Sequence, residues 1–198
     1  MIKRKLTDRL FDFLAHFPVI GIVGPRQVGK TTFVKNNIQN FEKETLYLDL
    51  ESPEDYNKLA DAELFLRQHE NKTVIIDEIQ RKPDLFPILR SLVDRNRLPG
   101  RFIILGSASP ELIRDSSESL AGRIAYMEMN PFDIDELNGV KSMEQLWLKG
   151  GFPDAVLEDR DDISSHWTQN FIKTYIERDL PLLGLKAPVM TIERLWSM

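Results

Sequence analysis

The most informative stretch of the sequence is Gly24-Pro25-Arg26-Gln27-Val28-Gly29-Lys30-Thr31, which fits the spacing G-x-x-x-x-G-K-S/T and follows the apolar run at 19–23. Glycines in such a loop let successive backbone N–H groups face an anion, and the next helix presents its positive end to the same anion. Lys30 can then reach the β- and γ-phosphates of a nucleotide, and the Thr31 hydroxyl can be an oxygen ligand of Mg²⁺. The stretch therefore predicts a site for a nucleoside triphosphate.

A glycine-containing turn that matches by chance is the alternative interpretation of this loop. The strand-like run before it and the helical pattern at 31–38 favour the phosphate site. We expect the whole loop and the first turn of the helix to contact the nucleotide. The expected contact residues are Gly24, Pro25, Arg26, Gln27, Val28, Gly29, Lys30, Thr31 and Thr32. Arg26 could instead stay in solvent.

Strand and helix patterns alternate along the first two thirds of the chain. Apolar and β-branched runs predict five strands, at 19–23, 45–50, 73–77, 102–105 and 124–127, with 73–77 in the centre of the sheet. Helical patterns precede or separate them, at 6–17, 31–38, 53–70, 83–95 and from 110. This alternation predicts an α/β fold, a three-layer core around a mainly parallel five-stranded sheet.

A break at Asn130-Pro131-Phe132 separates this pattern from a mainly helical one. We expect a nucleotide-binding core over 1–129, followed over 130–198 by a helical lid and the start of a further domain. The last residues begin an amphipathic helix without a polar cap, so the chain is expected to be a fragment. Core packing is expected for the tryptophans of these helical stretches, Trp147, Trp167 and Trp196.

Asp77 and Glu78 supply the second half of the predicted site. They follow the apolar and β-branched third strand, which delivers both side chains rigidly at its C-terminal edge. We expect Asp77 to hold Mg²⁺, through water, and Glu78 to orient or deprotonate the water that attacks the γ-phosphate. A simple strand-ending turn is the alternative, and the phosphate loop on a separate strand favours the catalytic interpretation.

Two further residues could act on the transferred phosphate. Ser107 directly follows the fourth strand, where its hydroxyl could help to position water, although a small residue suits almost any strand exit. Arg123 could neutralise charge that develops on the phosphate bound by a neighbouring subunit. A surface salt bridge is the competing interpretation of Arg123.

Composition narrows the function classes. The 198 residues are 42% hydrophobic and 29% charged, which is typical of a folded protein, and the net charge of −5 disfavours broad nonspecific nucleic-acid binding. The absence of cysteine excludes disulfides and thiolate sites, and no run approaches the ~20 apolar residues that cross a bilayer. We expect a cytoplasmic location, no membrane partner and, because the three histidines are scattered, no zinc.

Six segments together resemble an AAA-type ATPase family of bacteria and archaea. They are the loop at 24–31, Ile75-Ile76-Asp77-Glu78-Ile79-Gln80, Leu105-Gly106-Ser107-Ala108-Ser109, Ser119-Leu120-Ala121-Gly122-Arg123, Gly150-Gly151-Phe152-Pro153 and Tyr175-Ile176-Glu177-Arg178-Asp179-Leu180. The last three, in this order, are considerably more specific than the loop and the acidic pair.

The resemblance implies an AAA-like core to about Met129, a helical lid, and ATP and Mg²⁺ as ligands. It also implies that Arg123 is the L-A-G-R arginine, that Pro153 of the G-G-F-P segment approaches the nucleotide, and that a homo-oligomer is possible. It identifies no protein or nucleic-acid partner. Mg²⁺-dependent ATP hydrolysis is the preferred prediction. A nucleotide-gated interaction module with little turnover is the main alternative, and a small-molecule kinase is a weaker one.

Overall fold

The computed structural model of the chain describes residues 2–107, 119–182, 184 and 188–196. It divides into two units, Met1–Asn130 and Pro131–Met198. The helix predicted from 110, together with Ala108 and Ser109, lies outside the described residues. Within the described ranges, no helix combines the length and hydropathy that a bilayer span requires.

A five-stranded parallel sheet forms the centre of the first unit. Its strands are β1 (Val19–Gly24), β2 (Thr45–Asp49), β3 (Thr73–Asp77), β4 (Phe102–Ser107) and β5 (Ile124–Glu128), in the order β2-β3-β4-β1-β5. The predicted parallel sheet is confirmed. The prediction that the strand at 73–77 is central is wrong in detail. After β1 the chain crosses to β2 at the outer edge of the sheet and comes back through β3 to β4, so β4 is the middle strand and β3 lies beside it.

Helices cover both faces of this sheet. They are α1 (Leu6–His16), α2 (Lys30–Asn37), α3 (Pro53–Lys58), α4 (Ala62–Gln68) and α5 (Leu85–Arg95), with 3₁₀ turns at Ile38–Asn40 and Ile79–Arg81. Alternate residues of each strand face opposite layers, so Ile20 belongs to the same buried cluster as Phe33 of α2, while Val19 belongs to the cluster of Leu89 of α5. The result is the predicted three-layer α/β core.

The helix predicted over 53–70 is two helices. The Leu59 amide closes α3 by donating to the Tyr56 carbonyl at 3.2 Å. Asp61 then starts α4 as its N-cap, because its Oδ1 accepts a hydrogen bond from the Leu64 amide at 3.1 Å. A capping residue in the middle of a helical pattern therefore divides it.

The described residues of the second unit form helices only. They are α6 (Ile134–Leu137), α7 (Met143–Lys149), α8 (Pro153–Val156), α9 (Asp161–Thr174), a π-helical turn (Tyr175–Asp179), α10 (Leu180–Leu182) and α11 (Val189–Trp196). Gly151 packs closely in this unit, because a Cβ there would lie 2.2 Å from the Phe132 carbonyl oxygen. Close approach of the two backbones thus explains the second glycine of the G-G-F-P segment.

Two tryptophans of this unit differ in environment. Trp167 stacks on Phe171 with a centroid separation of 5.1 Å. Trp147 is 90% exposed, so the prediction that it packs in the core is wrong. The buried side of α7 carries Lys149, which donates to the Glu158 carbonyl at 2.7 Å, and Trp147 lies about 200° around the helix from it.

Candidate functional site

The loop after β1 is held in an unusual backbone conformation. Gly24 lies very close to the backbone that follows β5, because a Cβ at this position would lie 2.2 Å from the Met129 carbonyl oxygen. Gln27 and Gly29 both have positive φ, 60° and 93°. Val28 between them is fully buried and anchors the loop in the core beneath α2. The loop is therefore held at Gly24 and at Val28, while Gln27 between them is exposed.

Lys30 is the first residue of α2, and its ammonium folds back over the loop. Its Nζ donates to the carbonyl oxygens of Gly24 at 3.0 Å and Pro25 at 2.8 Å. Burial lowers the pKa of Lys30, while the negative charges of Glu78 and Asp77 oppose that shift. A phosphate in the loop would offer this ammonium a charged partner in place of two neutral carbonyls.

Besides the Lys30 ammonium, the start of α2 offers backbone amides as hydrogen-bond donors. Gly29 is the N-cap residue and has no side chain that could bond the first amides of the helix. Those amides and the helix dipole favour an anion at the same place. Thr32, in the first turn, is exposed.

Asp77 lies at the carboxyl end of β3 and joins three elements. It is only 3% exposed. Its Oδ2 accepts hydrogen bonds from the Thr31 hydroxyl at 2.6 Å and from the Tyr47 hydroxyl at 2.6 Å. Its Oδ1 accepts from the Glu78 amide at 2.9 Å. The structure thus brings together Thr31 and Asp77, the two residues that the sequence nominated for Mg²⁺.

Tyr47 is a site residue that the sequence did not nominate. It lies on β2, and Lys35 of α2 holds its ammonium 4.3 Å from the centre of the Tyr47 ring. Burial and the adjacent Asp77 raise the pKa of Tyr47 above its ordinary value, so the phenol remains a donor. The one available signal was a tyrosine two residues before the end of a strand, which becomes informative only when β2 is known to pair with β3.

Glu78 follows Asp77 in a left-handed conformation, with φ 56° and ψ 44°, and begins the 3₁₀ turn Ile79–Arg81. The Gln80 side-chain amide donates to Glu78 Oε2. Burial and Asp77 raise the pKa of Glu78, whereas the Gln80 hydrogen bond and the charges of Lys30 and Arg26 lower it. The carboxylate therefore lies within electrostatic reach of the loop. After Tyr47, Gln80 is the second residue at the site that the sequence did not nominate.

Ser107 lies at the carboxyl ends of the strands, the same edge of the sheet as the loop. It is the residue of β4 that pairs in register with Gly24, and β4 separates β1 from β3. Pro153 is the first residue of α8 in the second unit. Its contact with nucleotide stays a prediction, as does the role of Ser107.

Arg123 lies where the strands begin, at the edge of the sheet opposite to the one that holds the loop. Its carbonyl accepts a hydrogen bond at 3.2 Å from the amide of Val19, the first residue of β1, whereas Gly24 is the last. That strand separates the two edges by about 17 Å. The guanidinium pairs with Asp94 through Nε–Oδ1 at 2.6 Å and Nη2–Oδ2 at 2.9 Å. The structure therefore does not bring Arg123 to the loop of its own chain.

The donor atoms beside the loop fit Mg²⁺. Magnesium prefers hard oxygen ligands and is commonly held by one or two carboxylates together with phosphates and water, rather than by a closed protein cage. Thr31 Oγ1 and Asp77 Oδ2 are adjacent oxygens of this kind at the mouth of the loop. Among the described residues, no group of three or more His, Cys, Asp or Glu side chains could hold a metal by itself.

Comparisons with known proteins agree with this architecture. The sequence matches a family described as an AAA domain over residues 16–138, and a domain of unknown function (DUF8612) over 140–198. It is 41% identical over 196 residues to Uncharacterized protein Mb2031c of Mycobacterium bovis and to Uncharacterized protein Rv2008c of Mycobacterium tuberculosis. Those matches cover 99% of this chain and 44% of each relative.

Two solved structures share the fold. The Walker-type ATPase PABY2304 of Pyrococcus abyssi matches 92% of this chain and 75% of its own, with a TM-score of 0.61 and 17% identity. The S. cerevisiae Hsp104-ADP complex matches 92% of this chain and 34% of its own, with a TM-score of 0.52 and 17% identity. At this identity the likeness shows the fold alone, that of a P-loop ATPase.

Proposed function

Because this chain belongs to the AAA-domain family of P-loop ATPases, we propose that it binds ATP with Mg²⁺ and hydrolyses the γ-phosphate. The observation that carries the proposal is the convergence at one sheet edge of Lys30, the Thr31–Asp77 pair and Glu78. The chain spans 44% of the length of its curated relatives. The activity, substrates and partners of a longer protein are therefore proposals as well.

Each residue has a distinct role in the proposed reaction. Lys30 and the loop amides bind the phosphates, and Thr31 and Asp77 hold Mg²⁺. When bound, the ion neutralises phosphate charge. Glu78 accepts a proton from the attacking water as the new bond to phosphorus forms and the bond to the ADP oxygen breaks. Ser107 is proposed to help orient that water.

Assembly and localisation extend the proposal. We propose that residues 1–129 act as the nucleotide-binding core and 130–198 as a lid and the start of a further domain. Arg123 is proposed to serve the site of a neighbouring copy, because it lies at the edge away from its own loop. Motion between core and lid would make the use of ATP mechanical or regulatory. The absence of cysteine supports a cytoplasmic location.

A nucleotide-gated interaction module is the second candidate. The observation that favours it is the bidentate Arg123–Asp94 pair, which holds this arginine far from the loop of the same chain. A single copy would then bind ATP and change conformation but turn over little of it.

Nucleotide analysis after incubation with excess Mg·ATP distinguishes the two candidates. Hydrolysis predicts that ADP exceeds one molecule per chain, and that EDTA prevents its formation. ADP that never exceeds one per chain, despite retained ATP, would support the interaction module. ADP formation that resists EDTA would contradict the assigned roles of Thr31 and Asp77.

A further inference from the structure

We propose that Gln80 is the positioning residue for Glu78: its side-chain amide holds the Glu78 carboxylate in the orientation that meets the attacking water. This inference deepens the proposed ATP hydrolysis and rests on it. It concerns a residue that neither the phosphate loop nor the acidic pair includes.

The backbone turn after β3 returns the Gln80 side chain to Glu78. Glu78 adopts left-handed φ and ψ, and its carbonyl accepts a hydrogen bond from the Arg81 amide at 2.9 Å. Ile79 is fully buried and fixes the middle of the turn. Gln80 Nε2 then donates to Glu78 Oε2 across two residues. The contact is thus built into a turn with a buried anchor.

This hydrogen bond is what restrains the carboxylate. Among the residues that the structure describes, no other hydrogen bond reaches the Glu78 carboxylate oxygens. Glutamate has three rotatable side-chain bonds, so without Gln80 the carboxylate would sample several rotamers. Gln80 engages Oε2 and leaves Oε1 available to accept from water.

The surroundings in which the carboxylate is held suit a base. The Glu78 charge interacts with those of Lys30 and Arg26, both in the phosphate loop or at its end. The turn at Ile79–Arg81 also packs against β4, the strand that ends at Ser107. Gln80 therefore holds a carboxylate that lies beside β4 and within electrostatic reach of the loop.

The side-chain carbonyl of Gln80 is evidence against a purely structural role. A carboxylate only accepts hydrogen bonds, so the nitrogen of Gln80 faces Glu78 and the carbonyl oxygen points elsewhere. That Oε1 is buried and has no hydrogen-bond partner in the described part of the chain. An unpaired buried carbonyl costs free energy, which is typical of side chains retained for a site rather than for stability.

The test compares Gln80→Leu and Gln80→Glu with wild type. Leucine keeps most of the volume without a donor, and glutamate keeps the shape but opposes one carboxylate to another. Both variants should lower turnover at saturating ATP by about tenfold to a hundredfold, while ATP affinity stays within about twofold of wild type because no phosphate contact is lost. Gln68→Leu is the matched control, because Gln68 is exposed at the end of α4.

A second background separates positioning from general damage. Gln80→Leu should cause no further loss of turnover in Glu78→Gln, since the group that it positions is already inactive. An equal loss in both backgrounds, a loss of ATP affinity, or turnover of Gln80→Leu within about twofold of wild type would overturn the proposal.

A spectroscopic readout reports the contact without turnover. The ¹⁵N–¹H signals of the Gln80 side-chain amide, identified by their loss in Gln80→Leu, should shift in Glu78→Ala. Signals that do not move would overturn the contact itself. If wild type shows no turnover above Glu78→Gln, the proposed hydrolysis is wrong. The proposed role of Gln80 is then wrong as well, even if the shifted amide signals show that Gln80 contacts Glu78.

Discussion

At the scale of single residues, the Asp77 carboxylate joins Thr31 of α2, Tyr47 of β2 and the Glu78 amide at one point. Hydrogen bonds to a charged group contribute about 1.5–3 kcal/mol each, roughly twice the contribution of neutral ones. The geometry of the proposed Mg²⁺ site is therefore set by partners on three elements rather than by the acidic residue alone.

Lys30 should dominate nucleotide affinity. Lys30→Ala removes an ammonium that now rests on two loop carbonyls and would bind phosphate, so ATP should bind about tenfold to a hundredfold more weakly. Titration of a fluorescent ATP analogue measures this change. Lys58→Ala, which removes a surface lysine of α3 paired with Glu54 and Asp55, is the control and should bind like wild type. Unchanged affinity in Lys30→Ala would contradict the phosphate role.

Tyr47 should affect the requirement for Mg²⁺. Tyr47→Phe leaves Asp77 Oδ2 with Thr31 as its one remaining donor among the described residues, so the carboxylate is less well held. The Mg²⁺ concentration for half-maximal turnover should rise about threefold to tenfold. Tyr56→Phe, on the exposed surface of α3, is the control. An identical Mg²⁺ dependence in Tyr47→Phe would remove Tyr47 from the site.

Sequence reasoning found some of these residues and missed others for a physical reason. Lys30, Thr31 and Asp77 belong to local patterns, because a loop and a strand end each place their own side chains. Tyr47 reaches Asp77 only because β2 pairs with β3, and Gln80 reaches Glu78 only because Glu78 is left-handed. Neither the strand pairing nor the backbone conformation was inferred from the sequence.

At the scale of elements, Arg101 fixes the end of α5 against the sheet. It is 1% exposed, and its Nη1 donates to the carbonyl oxygens of Leu92 at 2.6 Å and Asn96 at 3.1 Å. The Leu92 carbonyl also accepts from the Asn96 amide at 3.2 Å, and the Asn96 carbonyl from the Leu98 amide at 3.0 Å, so Arg101 is a second donor to each. A buried guanidinium thus adds side-chain hydrogen bonds to the backbone contact that ends α5.

Arg101→Met should destabilise the first unit. Methionine fills similar space but removes the two hydrogen bonds from Arg101 to the Leu92 and Asn96 carbonyls, so the free energy of unfolding should fall by about 2 kcal/mol. Urea unfolding followed by circular dichroism measures the change. Arg67→Met, on the exposed end of α4, should lie within about 0.5 kcal/mol of wild type. Equal stability of the two variants would contradict the capping role.

Element boundaries depended on single capping residues. The parallel strands were predictable because their apolar runs are bounded by polar residues. The pattern at 53–70 does not reveal the break between α3 and α4, because Asp61 is one of many charged residues in this stretch, whereas it caps α4. In the second unit, α9 passes at Tyr175 into a π-helical turn, which no periodicity of the sequence reveals.

At the scale of the whole molecule, the loop and Arg123 lie at opposite edges of one sheet. A head-to-tail assembly would bring the Arg123 edge of one copy toward the loop edge of the next. The family was predictable because the L-A-G-R, G-G-F-P and Y-I-E-R-D-L segments occur in order. The spatial separation of Arg123 from its own loop was not, because it depends on β5 pairing with β1.

Mixing two inactive variants tests this arrangement. Arg123→Ala retains Glu78, and Glu78→Gln retains Arg123, so a mixed assembly contains some sites with both groups. The mixture should turn over ATP faster than the sum of the separate variants. Arg97→Ala, which removes a surface arginine bonded to the Gly122 carbonyl, is the control and should be active alone. A mixture no faster than that sum would contradict the role of Arg123 in a neighbouring site.

Glu78 is the proposed base of Mg²⁺-dependent ATP hydrolysis. The most direct measurement is steady-state phosphate release from Mg·ATP by wild type and Glu78→Gln, over a range of protein concentrations. Wild type should exceed Glu78→Gln by at least about a hundredfold, with turnover per chain that rises with protein concentration. Equal phosphate release by both proteins at every concentration, with ATP bound by both, would contradict the role of Glu78 as the base.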